Sequence, residues 1–319
     1  MKNIKLATVL AFTAIIFLNS CSKENTNTTT SATNSSGDEM VITPAGMMEK
    51  SKVHFIDQGF GLHVENGRLQ EVEIKSGRMI ADFGEVKTID ERFDLNRNPA
   101  FLSNNIVPET QGWIAYTYWS NPSTSTPITS FTTDWVVPSV PTKQGNQTIF
   151  LFNGMQDGEL STSYIIQPVL QWGSSAAGGG KYWAITNWYV SSSQAFYGSL
   201  VKVSAGTSLT GVMTETSTTG SDYDYNSSFV GYPTTTLNAT NVPQAYWAAE
   251  TLESYGVTNV NTEYPPNVDV AMTSIDILEG TTHPSITWTA AQATKGAAQK
   301  ATVVSNNSTD GEVDIYFRK

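Results

Sequence analysis

The sequence predicts an all-β protein, an antiparallel β-sandwich, on three observations. From Gly112 to Lys319 the chain is rich in Thr, Ser, Val, Tyr and Trp, a composition suited to half-buried strands. Alternating runs recur, as in Leu200-Val201-Lys202-Val203-Ser204 and Ser285-Ile286-Thr287-Trp288-Thr289, which send every second side chain to one face. Turn signals such as Pro122-Ser123, Gly178-Gly179-Gly180, Thr219-Gly220-Ser221 and Asp310-Gly311 punctuate the chain at sheet-like intervals. No long amphipathic helix and no repeat of fixed period is visible. Two packed β-layers are what such a chain can build.

Taken in order, the chain opens with the layout of a secretory signal. Lys2 and Lys5 precede an apolar stretch from Leu6 to Leu18, too short for an ordinary membrane span. It ends in Leu18-Asn19-Ser20-Cys21, which resembles a bacterial lipobox. Residues 1–20 are therefore expected to be a lipoprotein signal peptide, with Cys21 as the lipidated residue. Cys21 is the only cysteine of the 319 residues, so no internal disulfide can form and the fold must rest on its core. Residues 21–40 are dominated by Thr, Ser and Asn and bury too little apolar surface to offset ordering entropy. They read as a disordered tether. Lys23-Glu24 beside the cysteine looks like the surface-export signal of some bacterial lipoproteins. The expected location is the bacterial cell envelope, lipid-anchored in the outer membrane, with the surface as its outward option.

Residues 41–108 have a different texture. Val53-His54-Phe55-Ile56, Gly61-Leu62-His63-Val64, Glu71-Val72-Glu73-Ile74 and Met79-Ile80-Ala81-Asp82-Phe83 are short strand-like runs. Glu65-Asn66-Gly67-Arg68 and Lys75-Ser76-Gly77-Arg78 supply the turns between them. This is a small β-rich extension, either a removable propeptide or a fixed accessory unit. Residues 109–319 form the main domain.

The net charge is -11, from 29 acidic against 18 basic residues. That excludes nucleic acid as a partner, since phosphate binding needs a basic stripe. Few basic residues follow Gly112, which lessens self-repulsion once carboxylates protonate and suits acid conditions. A serine hydrolase is disfavoured because no Gly-x-Ser-x-Gly occurs and two of the three histidines, His54 and His63, precede the main domain. Zinc hydrolysis lacks both the His-Glu-x-x-His helix and any cysteine cluster. Gly178-Gly179-Gly180-Lys181 fails the spacing of a phosphate loop, and Asp222-Tyr223-Asp224-Tyr225-Asn226 lacks the glycine and closing glutamate of a calcium loop. No cofactor and no metal is expected.

Two motifs place one long polar side chain in an apolar or aromatic run: Tyr164-Ile165-Ile166-Gln167 and the segment from Ala245 to Glu253. A carboxylate can take a proton from water while an amide hydrogen-bonds the oxyanion formed at a carbonyl. The wider succession is Trp113, then Trp135-Val136-Val137-Pro138, Phe152-Asn153-Gly154-Met155-Gln156-Asp157-Gly158, the Ile-Ile-Gln run, Asn187-Trp188-Tyr189-Val190, Ala205-Gly206 and the glutamate segment. It resembles the eqolisins, the glutamic peptidases, whose strands carry "WVGIDG", "ILQTG", "WYEWYP", a "GD" turn and "AEFIIEDFE" in this order. The resemblance covers roughly Gly112 to Lys319.

The resemblance implies two large sheets packed in the concanavalin-like manner, with substrate on an open concave face. It places the catalytic glutamine on Gln167 and the catalytic glutamate on Glu250, with Glu253 peripheral. Phe152 stands where the family has a tryptophan near the site, and Asn187 replaces the glutamate of "WYEWYP"; both are candidate substrate contacts, together with Trp247. The aspartate of "GIDG" falls on Gln156 or Asp157, and that of the "GD" turn on Thr207. The implied activity is a glutamic endopeptidase acting on protein or peptide substrates at acid pH. It requires Gln167 and Glu250 on neighbouring strands of one sheet, both facing the groove. The alternative is a non-catalytic surface β-sandwich that binds glycan or protein through its aromatics. Glu250 and Glu253 are three apart, so a strand sends them to opposite faces, which disfavours them as the carboxyl pair of a glycanase.

Overall fold

The computed structural model describes residues 38–318, except 88, 91–110, 124, 159–160, 192 and 294–296. Cys21, the signal segment and most of the expected tether lie outside the described residues. A hairpin of β1 (Met40–Thr43) and β2 (Gly46–Glu49) comes first, followed by β3 (Val53–Phe55), β4 (Phe60–Glu65), β5 (Arg68–Glu73), β6 (Met79–Glu85) and β7 (Ile89–Asp90). Next are β8 (Gly112–Ser120), β9 (Ile128–Val136), β10 (Thr148–Gln156), β11 (Ser161–Thr162), β12 (Tyr164–Ser175), β13 (Gly178–Ser191), β14 (Ala195–Tyr197) and β15 (Val201–Val203). The last are β16 (Ser208–Thr219), β17 (Asp222–Phe229), β18 (Leu237–Pro243), β19 (Trp247–Tyr255), β20 (Asp269–Glu279), β21 (Thr289–Gln292), β22 (Lys300–Ser305) and β23 (Gly311–Tyr316). A single turn of helix, α1 (Val260–Glu263), sits between β19 and β20.

Two large sheets pack face to face as a β-sandwich. The front sheet runs β21-β8-β19-β10-β12-β13-β14-β3, with β15 also paired to β13. The back sheet runs β22-β23-β20-β9-β16-β17-β18-β4-β5-β6. Pairing is antiparallel except at two joints, β3 with β14 and β4 with β18, so the sheets are mixed rather than wholly antiparallel. Both exceptions come from the N-terminal segment. The strand-like runs expected between 41 and 108 do not stand apart as a unit: β3 extends the front sheet and β4 to β6 extend the back one. The β4–β5 turn is set by Asn66 and Gly67, whose φ of 51° and 72° belong to the left-handed region that such two-residue turns demand.

Alternation then sorts the apolar residues of the front sheet. Ile149, Leu151, Met155, Ile166, Leu170, Ile185 and Leu252 join the main core between the sheets. Phe150, Phe152, Ile165, Val169, Trp188, Val190 and Trp247 form a second cluster on the outer face. The hairpin β1–β2 lies against this outer cluster through Ile42, Ala45 and Met48, and the Ile42 carbonyl accepts from the Ala176 amide. The tryptophans divide likewise: Trp135, Trp172 and Trp183 fill the core, while Trp113, Trp188 and Trp247 belong to the outer face.

Candidate active site

The parity of β19 decides which carboxyl can meet a ligand. Ala248 and Leu252 are core residues, whereas Trp247, Ala249 and Tyr255 belong to the outer cluster. Glu250 therefore faces inward and Glu253 outward. Gln167 lies on β12 between Ile165 and Val169, both of the outer cluster, and pairs across β13 with Trp188. Gln167 and Glu250 are thus on opposite faces of the front sheet, and β10 separates their strands. The expected Gln167–Glu250 dyad does not form. The cause is register: β10 pairs Asn153 with Glu250, while its next residue, Gly154, stands opposite Gln167, with an ideal Cβ there 3.6 Å from the Gln167 Cβ.

Glu250 instead belongs to a polar island between the sheets. Its Oε1 accepts from the Thr133 hydroxyl of β9 at 2.6 Å. Thr117 and Asn153 flank it in register on β8 and β10. The Asn153 amide donates to the Gly211 carbonyl at 3.3 Å. A side chain at Gly211 would put its Cβ 2.7 Å from both Asn153 Oδ1 and Trp135, so only glycine permits that approach. Glu250 Oε2, Asn153 Oδ1 and the Thr117 hydroxyl have no hydrogen-bond partner. Burial pushes the Glu250 carboxyl well above its ordinary range, opposed by the Thr133 hydrogen bond. A neutral carboxylic acid has a proton to offer to one of these acceptors. Asn187 also faces inward: its amide donates to Thr235 and its oxygen accepts from Ser227 of the back sheet. It therefore cannot contact substrate on the outer face.

Phe152 and Trp247, the other two candidate substrate contacts, lie on the outer face within an aromatic group. Trp113 meets Phe152 edge-on at 5.7 Å, and Trp247 stacks on Tyr118 at 5.7 Å. Glu253 is the carboxyl of this face. Fully buried, it accepts from the Tyr255 hydroxyl on Oε1, while Oε2 has no partner. Burial pushes its carboxyl up to about 8, with the Tyr255 hydrogen bond pulling the other way. Across β10, Glu253 is in register with Phe150, and Phe150 with Gln171 of β12. One row therefore carries Glu253, Phe150 and Gln171, spanning two interstrand spacings or ~10 Å. The Gln171 amide donates to the carbonyls of Gly173 and Gly178 at 2.8 and 2.9 Å, and its oxygen accepts from Ser175. Gly179, at a φ of 102°, leaves the room for that amide, because a Cβ there would sit 2.4 Å from its nitrogen.

Sequence reading passed over Gln171 and set Glu253 aside as peripheral, although a signal for each was present. Val169-Leu170-Gln171-Trp172-Gly173 has the glycine two places after the glutamine that "ILQTG" requires, and Gln167 lacks it. Starting the "AEFIIEDFE" match at Ala248 instead of Ala245 puts Glu253 at its sixth place and an aromatic, Tyr255, at its eighth.

The sequence matches no protein-family model and no curated protein. Among solved structures, the chain is similar to scytalido-glutamic peptidase with a peptide-based transition-state analogue. The TM-score is 0.40 at 12% identity, over 63% of this chain and 97% of that one. A second structure of scytalido-glutamic peptidase with a transition-state analogue inhibitor gives a TM-score of 0.36 at 15% identity, over 64% and 97% of the two chains. SCP-B, a member of the eqolisin family of peptidases in complex with the tripeptide Ala-Ile-His, gives 0.38 at 12% identity over 64% and 98%. At that overlap and identity the likeness assigns no residue of this chain a role.

Proposed function

We propose that the outer face of the front sheet is the active site of a peptide hydrolase in which Glu253 is the acid–base group and Gln171 the amide partner. The observation that carries this reading is Glu253 itself: a buried carboxyl amid aromatics, one oxygen unpartnered, in register with a glutamine two strands away. Ionised Glu253 takes a proton from water as the water attacks the peptide carbonyl. The Gln171 amide donates to the resulting oxyanion, and protonated Glu253 passes its proton to the leaving amine. As general base Glu253 must be ionised, so the rising limb of activity lies toward about 8 rather than in the acid range expected of an unburied glutamate.

A second reading is favoured by one observation: both Gln171 N–H groups are taken up by the Gly173 and Gly178 carbonyls. Oxyanion donation requires release of one of them, whereas a module that only binds ligand through its aromatics needs no such change. The full chain incubated with a denatured protein from about pH 3 to about pH 9 separates the two. New peptide termini by mass spectrometry support hydrolysis, and an intact substrate at every pH leaves the binding module. Attachment to the bacterial outer membrane through lipid on Cys21 is part of the proposal. Cys21→Ser protein is expected in the soluble fraction; equal membrane retention would remove the anchor.

A further inference from the structure

We propose that Gln167 reads the backbone of an extended peptide on the outer face, at a subsite remote from bond cleavage. The proposal takes its ligand class from the hydrolase reading and nothing of its chemistry. Gln167 is wholly buried, yet neither its amide nitrogen nor its oxygen has a hydrogen-bond partner. Such a group costs the fold free energy unless something outside the chain engages it.

Its surroundings specify the partner. The outer-face row through Gln167 continues from Trp188 on one side to Gly154, Ala249 and Tyr118 on the other. Gly154 and Ala249 are the two smallest residues available, and they lie between larger neighbours. Phe152 and Thr251 border them on one side, Gln156 and Trp247 on the other. At Gly154 an added Cβ would meet Ile165 at 3.1 Å, so a side chain there would crowd Ile165. The Trp188 and Trp247 indole nitrogens and the Thr251 hydroxyl are also buried without partners.

The balance of these groups points to carbonyl oxygens. Unused N–H donors are two on Gln167 and one each on Trp188 and Trp247, set against the Gln167 carbonyl and the Thr251 hydroxyl, which can itself donate. A peptide strand brings carbonyls with two lone pairs each, and an amide N–H to answer the Gln167 oxygen. Sugar hydroxyls bring a further donor with every acceptor, so they match the set less well. No Asp, Glu, Lys, Arg or His lies in this row or in the next outer-face row on either side. A charged ligand group would be buried there without a counter-charge. The row lies four residues along the strands from that of Glu253, ~13 Å away. Contacts at that distance add binding energy without touching the reacting atoms.

Glu253→Gln protein, with its chemistry silenced, is titrated calorimetrically with a blocked decapeptide of alternating Ala and Ser. Adding Gln167→Leu or the size-matched Gln167→Met is expected to weaken binding about tenfold, the loss of two hydrogen bonds. The melting temperature should hold or rise, because the unpartnered amide contributes nothing to the free fold. In the active protein the same changes raise KM and leave kcat in place. Equal affinity with and without Gln167 overturns the proposal. So does failure to bind the peptide, and so does Gln167-dependent binding of a hexamer of N-acetylglucosamine in its stead. A peptide bound through Gln167 but never cut by the wild-type protein leaves this proposal standing and removes the hydrolase; cutting indifferent to Gln167 does the reverse.

Discussion

Glu250 and Glu253 sit three residues apart on one strand, are both fully buried, and are both held neutral by burial, yet they live in unlike places. Glu250 lies between the two sheets, bonded to Thr133 and flanked in register by Asn153 and Thr117, where no substrate can reach it. Glu253 stands among Trp113, Phe150 and Tyr255 on the outer face, its second oxygen unused. The difference teaches that strand parity, rather than residue type or burial, decides which acid can do chemistry. One carboxyl is a structural cross-link between sheets, and the other is the one that the proposed hydrolysis employs.

The largest expected effect that separates them is on stability. Glu250→Ala removes a buried side chain and strands the Thr133 hydroxyl, at a cost of ~2–4 kcal/mol in denaturant unfolding. Glu250→Gln keeps shape and neutrality, so it should cost less than ~1 kcal/mol. If both changes prove equally mild, the inner island is not a cross-link.

The pH dependence of stability sharpens the comparison further. For Glu253 the folded value of about 8 lies above the ordinary glutamate value of 4.5, so the folded state holds its proton more tightly than the unfolded chain. The associated stability is complete below the unfolded value and is lost as pH rises toward about 8, at ~1.4 kcal/mol per pH unit. Glu250 acts in the same direction. Unfolding midpoints should therefore fall between mildly acid and mildly alkaline pH. Glu253→Gln should remove part of that slope and Glu250→Gln another part. A midpoint independent of pH would mean that neither acid is held neutral.

The sandwich was legible in the sequence because alternation and turn residues are local properties. The Asn66-Gly67 turn and the strand at Val53–Phe55 appear where the residues place them. The parallel joints of β3 and β4 were not legible, since which edge a short strand joins depends on partners more than 100 residues away. The opposite facing of Glu250 and Glu253 followed from their spacing of three along a strand. The pairing of Gln167 with Glu250 failed for a physical reason. A period of two makes a shift of three places in one motif and four in another invisible in texture, yet the shift of three reverses the face. Ile165-Ile166-Gln167 and Val169-Leu170-Gln171 look alike as strings, and beyond Gly173 it is the row shared with Glu253 that distinguishes them.

The most direct test exchanges the two acids in one assay. Wild-type, Glu253→Gln and Glu250→Gln proteins, each shown to be folded, are incubated near pH 8 with a denatured protein, and the rate at which new peptide termini appear is measured. The predicted result is a loss on the order of 10² to 10⁴ in rate for Glu253→Gln and nearly full activity for Glu250→Gln. Full activity in folded Glu253→Gln protein, with the loss in Glu250→Gln instead, would contradict the account.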